Sequence, residues 1–213
     1  MKFTETQINR VSKEIRSKVK GKVLFDHFSR GRYSTDASLY QITPLGAVLP
    51  FDQNDVLNLM EYSQKNSVPL LARGGGSSQC GQTVSEAIVL DYSKYQNQIL
   101  EFNVEEKYVW VQPGIVLDTL NNYLKPYGLW FPVDVSTSSR ATIGGMTGNN
   151  SCGSRSLYYG NMVNNVLAVE AILDDGSIHT FEDIDKNYLK VTNDQNRQYE
   201  IIKRFLDIKA ETK

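Results

Sequence analysis

The sequence has few residues of the kinds that hold metals or staple chains. Its 213 residues include two cysteines, Cys80 and Cys152, and two histidines, His27 and His179. The cysteines are far apart and form no CxxC pair, so their spacing supports neither zinc nor iron–sulfur ligation, and no metal site is expected. Two free thiols are the expected state. An excess of one charge is also missing. The chain has 23 Lys and Arg against 24 Asp and Glu, for a formal net charge of −1. A nearly neutral chain without a basic cluster is not expected to bind nucleic acid. No run approaches the roughly 20 apolar residues of a membrane-spanning helix. The first residues, Met1-Lys2-Phe3-Thr4-Glu5, show no apolar signal segment. A cytoplasmic protein without a membrane span is expected. There is no internal repeat and no low-complexity linker.

Hydrophobic residues make up 40% of the chain. That is enough for a sizeable core, since a domain of roughly 150 residues already hides about 68–70% of its unfolded surface. Apolar spacing (Ile8, Val11, Ile15, Val19) predicts an amphipathic helix over residues 2–20, ended at Gly21. Residues 25–38, rich in Ser, Arg and Gly, read as irregular. A short strand is expected at 47–50, then a helix over 52–65 with Asp52 as its N-cap and Asp55 adding negative charge to its first turn. Strand signals recur at 68–72, 87–91, 99–103 and 108–112, and a helical pattern over 115–127 closes at Gly128. Strands 166–173 and 177–181 flank Asp174-Asp175-Gly176, a hairpin signal. The polar tail, residues 182–213, reads as partly helical. The order of elements predicts an α+β fold.

Two glycine-rich stretches carry the chemistry. The first, residues 73–82, reads Arg73-Gly74-Gly75-Gly76-Ser77-Ser78-Gln79-Cys80-Gly81-Gln82. Successive glycines let main-chain N–H groups crowd round one point, a concavity that suits a phosphate. Two common phosphate motifs fail here. Gln79 stands where a Rossmann fingerprint needs glycine, and Gln82 stands where a P-loop needs lysine. The second stretch, residues 142–153, reads Thr142-Ile143-Gly144-Gly145-Met146-Thr147-Gly148-Asn149-Asn150-Ser151-Cys152-Gly153, and the hydroxyl run Ser136-Thr137-Ser138-Ser139 lies shortly before it. Uncharged donors and acceptors in such number suit a polar heterocycle with a pyrophosphate better than a metal ion.

These stretches, together with Tyr33-Ser34-Thr35-Asp36-Ala37-Ser38, Val111-Gln112-Pro113-Gly114, Gly128-Leu129-Trp130-Phe131-Pro132 and Tyr159-Gly160, resemble the FAD-binding domain of the vanillyl-alcohol oxidase and p-cresol methylhydroxylase (PCMH-type) superfamily. Within it they resemble the D-2-hydroxyacid dehydrogenase branch. The wording around Trp130 to Gly153 is similar to the large bacterial enzymes that fuse this domain to an iron–sulfur module. The resemblance implies two α+β lobes clasping an extended FAD. It places Arg73, Gly74, Gly75, Gly76, Ser77, Ser78, Gly81 and Gln82 round the pyrophosphate. Asp134, Ser136, Thr137, Ser138, Gly144, Gly145, Gly148, Asn149 and Asn150 would line the flavin and its ribityl and phosphate parts. Gly153, Ser154 and Tyr159 would complete the wall, and Ile178 would approach the flavin or the adenine.

Some relatives attach FAD through a histidine just after the first glycines. This chain has Ser77 there, so non-covalent FAD is expected. The resemblance implies oxidation of a D-2-hydroxy acid, with electrons passing to an iron–sulfur domain, a quinone or an electron-transfer protein. The general base and the carboxylate clamp are expected in a second, substrate-binding domain after Lys213, so the catalytic residues are unknown. Any iron–sulfur cluster belongs to the full-length protein and not to this chain. Arg30, Arg32 and Tyr33 either reach the active-site face or form a solvated basic turn. The domain layout implied is a helical segment 1–24, an FAD-binding domain 25–181 with lobes of about 25–113 and 114–181, and a connection 182–213. Two other readings remain: a flavoenzyme like UDP-N-acetylenolpyruvoylglucosamine reductase, and a flavin-binding module without catalysis of its own.

Overall fold

The computed structural model describes residues 3–184 and 196–211. Helix α1 (Glu5–Arg16) begins at a capping box in which the Thr4 hydroxyl accepts from the Gln7 N–H and the Gln7 side chain accepts from the Thr4 N–H. It buries Ile8, Val11 and Ile15 and stops at Ser17, short of the expected Gly21. Strand β1 (Lys22–Leu24) and helix α2 (His27–Arg32) follow. Helix α2 falls in the stretch 25–38 that reads as irregular, and β1 lies just before it, at residues for which no element is expected. Helix α2 is one and a half turns with no apolar period, and it forms because Asp26 caps it at the Ser29 N–H.

Strand β2 (Gly46–Leu49) leads to α3 (Gln53–Asn66), and Asp52 caps it as predicted, accepting from the Asp55 N–H. Then come β3 (Leu70–Arg73) and β4 (Ile88–Asp91). The four strands form one sheet in the order β1-β2-β4-β3, antiparallel at β1–β2 and parallel elsewhere. Pleating puts alternate residues on one face. Leu24, Ala47, Val89 and Leu71 lie in one row across the sheet, and the buried Tyr33 packs on that row. Because β3 and β4 are adjacent and parallel, the chain must return from the end of one to the start of the other. The first glycine stretch begins that return at the C-terminal end of β3.

Strands β5 (Ile99–Asn103) and β6 (Tyr108–Val111) form a hairpin. Helix α4 (Leu117–Leu124) runs into a 3₁₀ turn, Lys125–Tyr127, closed at Gly128. The second glycine stretch contains a helix that the sequence reading missed, α5 (Ile143–Gly148), followed by α6 (Ser156–Tyr159) and α7 (Met162–Asn165). Val133, Ala141, Ile143, Met146 and Met162 are buried here with the α4 residues Leu117, Leu120 and Leu124.

By packing, the chain divides into two compact units, Met1–Asn165 and Val166–Lys213. The expected lobe boundary near Pro113 lies inside the first. The second unit holds a hairpin of β7 (Ala168–Ile172) and β8 (Ile178–Glu182), turned at Gly176, and helix α8 (Arg197–Glu211). Arg197 donates through Nε and Nη2 to the two carboxylate oxygens of Asp174. The stretch of the tail from 185 to 195 lies outside the described residues. No helix among the described residues is long and apolar enough to cross a membrane.

Buried tyrosines, Tyr62 and Tyr92 among them, make this fold sensitive to alkali. The Tyr62 hydroxyl on α3 donates to Glu14 on α1 at 2.7 Å, and burial with that bond pushes its pKa up to about 12. Burial alone does the same at Tyr92, also to about 12. An unfolded tyrosine titrates near pH ~10. The folded state therefore keeps its protons where the unfolded state has lost them. The stability is complete below about pH 10 and is lost as the pH rises toward the folded values. Thermal melts across that range are expected to show a steep loss. Tyr92→Phe should flatten it, and an unchanged slope in that variant would exclude Tyr92 as a source.

Candidate functional site

The two glycine stretches touch. A Cβ added at Gly74 would lie 2.0 Å from Thr142 Oγ1, and one at Gly75 would lie 2.1 Å from the Arg140 carbonyl oxygen. No side chain fits at either position: the first loop packs on the Thr142 side chain at Gly74 and directly on main chain at Gly75. Thr142 is the hub that the sequence reading did not single out. It is 2% exposed and caps α5 by accepting from the Gly145 N–H. A threonine is a favoured N-cap, but the glycines that follow it have poor helix propensity and hide the helix start.

Among the described residues, the main-chain N–H groups of Gly74, Gly75, Gly76, Ser77, Ser78 and Gln79 donate to no protein atom. Gly75 and Gln79 are exposed, but Gly74, Gly76, Ser77 and Ser78 are half-buried at the mouth of a parallel strand pair, where main-chain donors are usually paired. The Ser77 hydroxyl and those of Ser136, Thr137 and Ser138 are likewise without a protein partner among the described residues, and Ser77, Thr137 and Ser138 are half-buried. A pyrophosphate offers several anionic oxygens to donors crowded round one point, so this donor set fits one.

A chain of side chains bridges the stretches further out. Ser78 Oγ meets Gln82 Oε1, Gln82 Nε2 donates to Asn149 Oδ1 at 3.2 Å, and Asn149 Nδ2 donates to Ser151 Oγ at 3.2 Å. Asn150 accepts the Val163 N–H through Oδ1. The remaining glycines serve different ends. Gly81 lies against the Tyr40 ring, Gly144 against Pro113 and Gly153 against the Asp134 carboxylate. A Cβ at Gly148 would meet nothing within 4 Å, and one at Gly145 only Thr142 Oγ1 at 3.1 Å.

Asp134 belongs to the wall beside α6. Its Oδ1 accepts the Arg155 N–H at 3.0 Å and its Oδ2 accepts the Ser154 hydroxyl at 2.8 Å. Those bonds hold its carboxyl below the usual carboxylate range. Arg155 lies over the Trp130 ring at 5.2 Å, and Tyr159 meets that ring edge-on at 5.3 Å. Ile178, predicted near the cofactor, is on β8 in the second unit and 40% exposed. His27 sits on α2 and His179 on β8, both outside the glycine stretches. Arg30 donates to the Pro44 carbonyl and to Glu5, and Tyr33 is buried on the sheet, so neither forms a solvated turn. Among the described residues no group of three or more His, Cys, Asp or Glu side chains is placed to hold a metal ion.

Comparison with known proteins bears on this arrangement. A family model described as "FAD binding domain" matches residues 44–182. A D-2-hydroxyglutarate dehydrogenase of Pseudomonas putida is 42% identical over 160 residues, which is 74% of this chain and 16% of that protein. One from Haemophilus influenzae is 40% identical over 164 residues, with the same two shares. The chain thus spans 16% of the length of these curated relatives. Among solved structures, an alkyldihydroxyacetonephosphate synthase superposes with a TM-score of 0.69 at 21% identity, over 88% of this chain and 36% of its own. The α+β fold is shared with that protein.

Proposed function

The chain belongs to the FAD binding domain family, and from that premise we propose that it is the cofactor-holding part of a flavin-dependent oxidoreductase that converts a D-2-hydroxy acid, D-2-hydroxyglutarate or a D-lactate-like acid, to the 2-oxo acid. The observation that carries the cofactor assignment is the run of unfilled N–H donors from Gly74 to Gln79, braced against Arg140 and Thr142. The names of the relatives that match across three quarters of the chain support the substrate class. On this reading residues 25–181 form the FAD-binding domain.

FAD, when bound, supplies the acceptor for the hydride that leaves the substrate's α-carbon. The protein's share is to bind and orient. Main-chain donors of 74–79 with Ser77 and Ser78 hold the pyrophosphate. The hydroxyls of Ser136, Thr137 and Ser138, with Gly144, Gly145, Gly148, Asn149 and Asn150, line the rest. Asp134 fixes the turn carrying Gly153 and Ser154, and the Trp130–Tyr159 pair stands beside that turn. Ser77 has no imidazole to alkylate, so FAD is held non-covalently. The base and the carboxylate clamp lie in the larger part of such proteins that this chain does not span. Electrons pass on to an iron–sulfur domain, a quinone or an electron-transfer protein, and the working compartment is the cytoplasm.

The test is reconstitution. The purified chain, given FAD and desalted, is expected to keep the flavin's visible absorption band and to lose all yellow colour to the supernatant on acid precipitation. Colour that stays in the pellet would overturn non-covalent binding, and no retained band would overturn the cofactor assignment. Anaerobic bleaching of the intact protein by D-2-hydroxyglutarate or D-lactate, and not by NADPH, is the expected substrate result. Bleaching by NADPH alone would favour a reductase.

A further inference from the structure

We propose that Arg73 is a positioning residue that shapes the glycine loop from behind and makes no contact of its own with the pyrophosphate. The proposal rests on the reading that this loop receives FAD. An arginine at the mouth of a phosphate nest would ordinarily be taken as a phosphate ligand. The guanidinium is turned the other way. Its Nη1 donates to the Thr83 carbonyl at 3.0 Å and its Nη2 to the Thr35 carbonyl at 2.8 Å. Thr83 ends the loop that Arg73 begins, ten residues later, so the first bond closes the loop on itself. The second ties the closed loop to the turn after Tyr33.

The guanidinium is closely packed. The Tyr33 ring centroid lies 5.4 Å from Cζ. Gly76 presses against the same group, because a Cβ built there would stand 2.4 Å from Nη2, 2.9 Å from Cζ and 3.0 Å from Nε. Gly76 has φ +64, so the loop turns over the guanidinium at a residue where other side chains are strained and where any would collide. Tyr33 is held in turn by its hydroxyl, which donates to Asp91 Oδ2 at 2.6 Å, and Asp91 stands opposite Arg73 in the β3–β4 register. The other Asp91 oxygen accepts from Ser93, so Asp91 fixes the tyrosine and leaves the guanidinium to the two carbonyls. Thr83 is fastened once more, by its hydroxyl to Asp36 at 3.0 Å. The clasp holds both ends of the loop, with the unfilled N–H groups between them.

Arginine is required because its planar fork reaches two acceptors at a fixed angle, which a lysine ammonium on a flexible stem does not do. The experiment compares Arg73→Lys, Arg73→Gln and Tyr33→Phe by limited proteolysis without FAD, using a protease of broad specificity, and by FAD titration. In all three, cleavage within residues 74–83 is expected to be faster in the FAD-free protein. Arg73→Lys should bind FAD about tenfold or more weakly, no better than Arg73→Gln. Tyr33→Phe loses only a hydroxyl and should show a smaller loss of the same kind, not additive with Arg73→Lys. The clasp is overturned if Arg73→Lys binds FAD like the wild type while Arg73→Gln does not, because a phosphate contact tolerates lysine. Wild-type cleavage rates within 74–83 in Tyr33→Phe and Arg73→Lys would overturn it too. If the wild type binds no FAD, the functional reading fails, and the cleavage data still decide whether the clasp exists.

Discussion

Gly75→Ala is expected to cost about 3 kcal/mol of stability and to abolish FAD binding. A Cβ at this position would sit 2.1 Å from the Arg140 oxygen, 2.8 Å from its carbonyl carbon and 3.4 Å from the Ala141 nitrogen. Carbon contacts are comfortable only at about 3.5–4.0 Å. All three obstructing atoms are main chain, so no rotamer change relieves the clash. One of the two stretches must move away, and both are anchored. Arg140 and Ala141 donate their N–H groups to the Thr137 carbonyl, and the Ala141 carbonyl accepts from Leu117. The glycine loop, held at 73 and 83, is the part that shifts, carrying the unfilled donors out of register. Gly148→Ala makes the informative contrast. Its Cβ meets no protein atom within 4 Å, and alanine is the better residue in a helix by up to about 1 kcal/mol. Any affinity lost at Gly148 with stability intact reports on the ligand, whereas loss at Gly75 reports on the loop. Urea unfolding and FAD titration of both variants check this. Wild-type stability and affinity in Gly75→Ala would sink the argument.

That contrast shows what the sequence could and could not reveal about the site. The clustering of Gly74, Gly75, Gly76, Gly144 and Gly145 was readable, and the resemblance placed both stretches round one cofactor. What each glycine is for was not readable. Gly74 makes room for the Thr142 side chain, Gly75 for another main chain, Gly76 for a guanidinium and Gly153 for the Asp134 carboxylate. Each depends on a partner distant in sequence. The fold divides in the same way. Strand β5, the hairpin turned at Asp174-Asp175-Gly176 and the Asp52 cap follow from local pattern and appear where expected. Helix α5 does not, because its composition (Ile143-Gly144-Gly145-Met146-Thr147-Gly148) has poor intrinsic helicity. It forms because Ile143 and Met146 are buried and Thr142 caps it, and burial of an apolar face outweighs propensity in a short segment. Strand β1 has three residues and gains its place only by pairing antiparallel with β2.

Asp55 is the clearest case of a residue whose local reading was right but too small, and its replacement should produce the second large effect. At the first turn of α3 it was expected to add favourable charge to a helix N-terminus. It is 1% exposed, and its carboxylate accepts three main-chain N–H groups, from Lys20, Gly21 and Phe51, each at 2.8 Å. Two of those donors lie between α1 and β1, and the third lies between β2 and α3. The side chain therefore fastens the connection leaving α1 to the connection entering α3. Gly21 is pressed so close to this junction that a Cβ there would stand 2.0 Å from the Leu49 oxygen. An orphaned buried donor costs about 1–3 kcal/mol, and water reaching the Phe51 side offsets part of that for one of the three. Asp55→Ala is expected to lose about 3 kcal/mol in urea unfolding. Asp55→Asn should lose about 1–2 kcal/mol, because its oxygen still accepts on one side while its NH₂ is turned toward a donor on the other. The order is the test. Helix-dipole charge alone would give Asn and Ala the same small loss, near 0.5 kcal/mol. Equal small losses would reduce Asp55 to a charge at a helix end. A larger loss in alanine than in asparagine, with FAD affinity per folded molecule unchanged, would show that this carboxylate joins α1 to the sheet that presents the glycine loop.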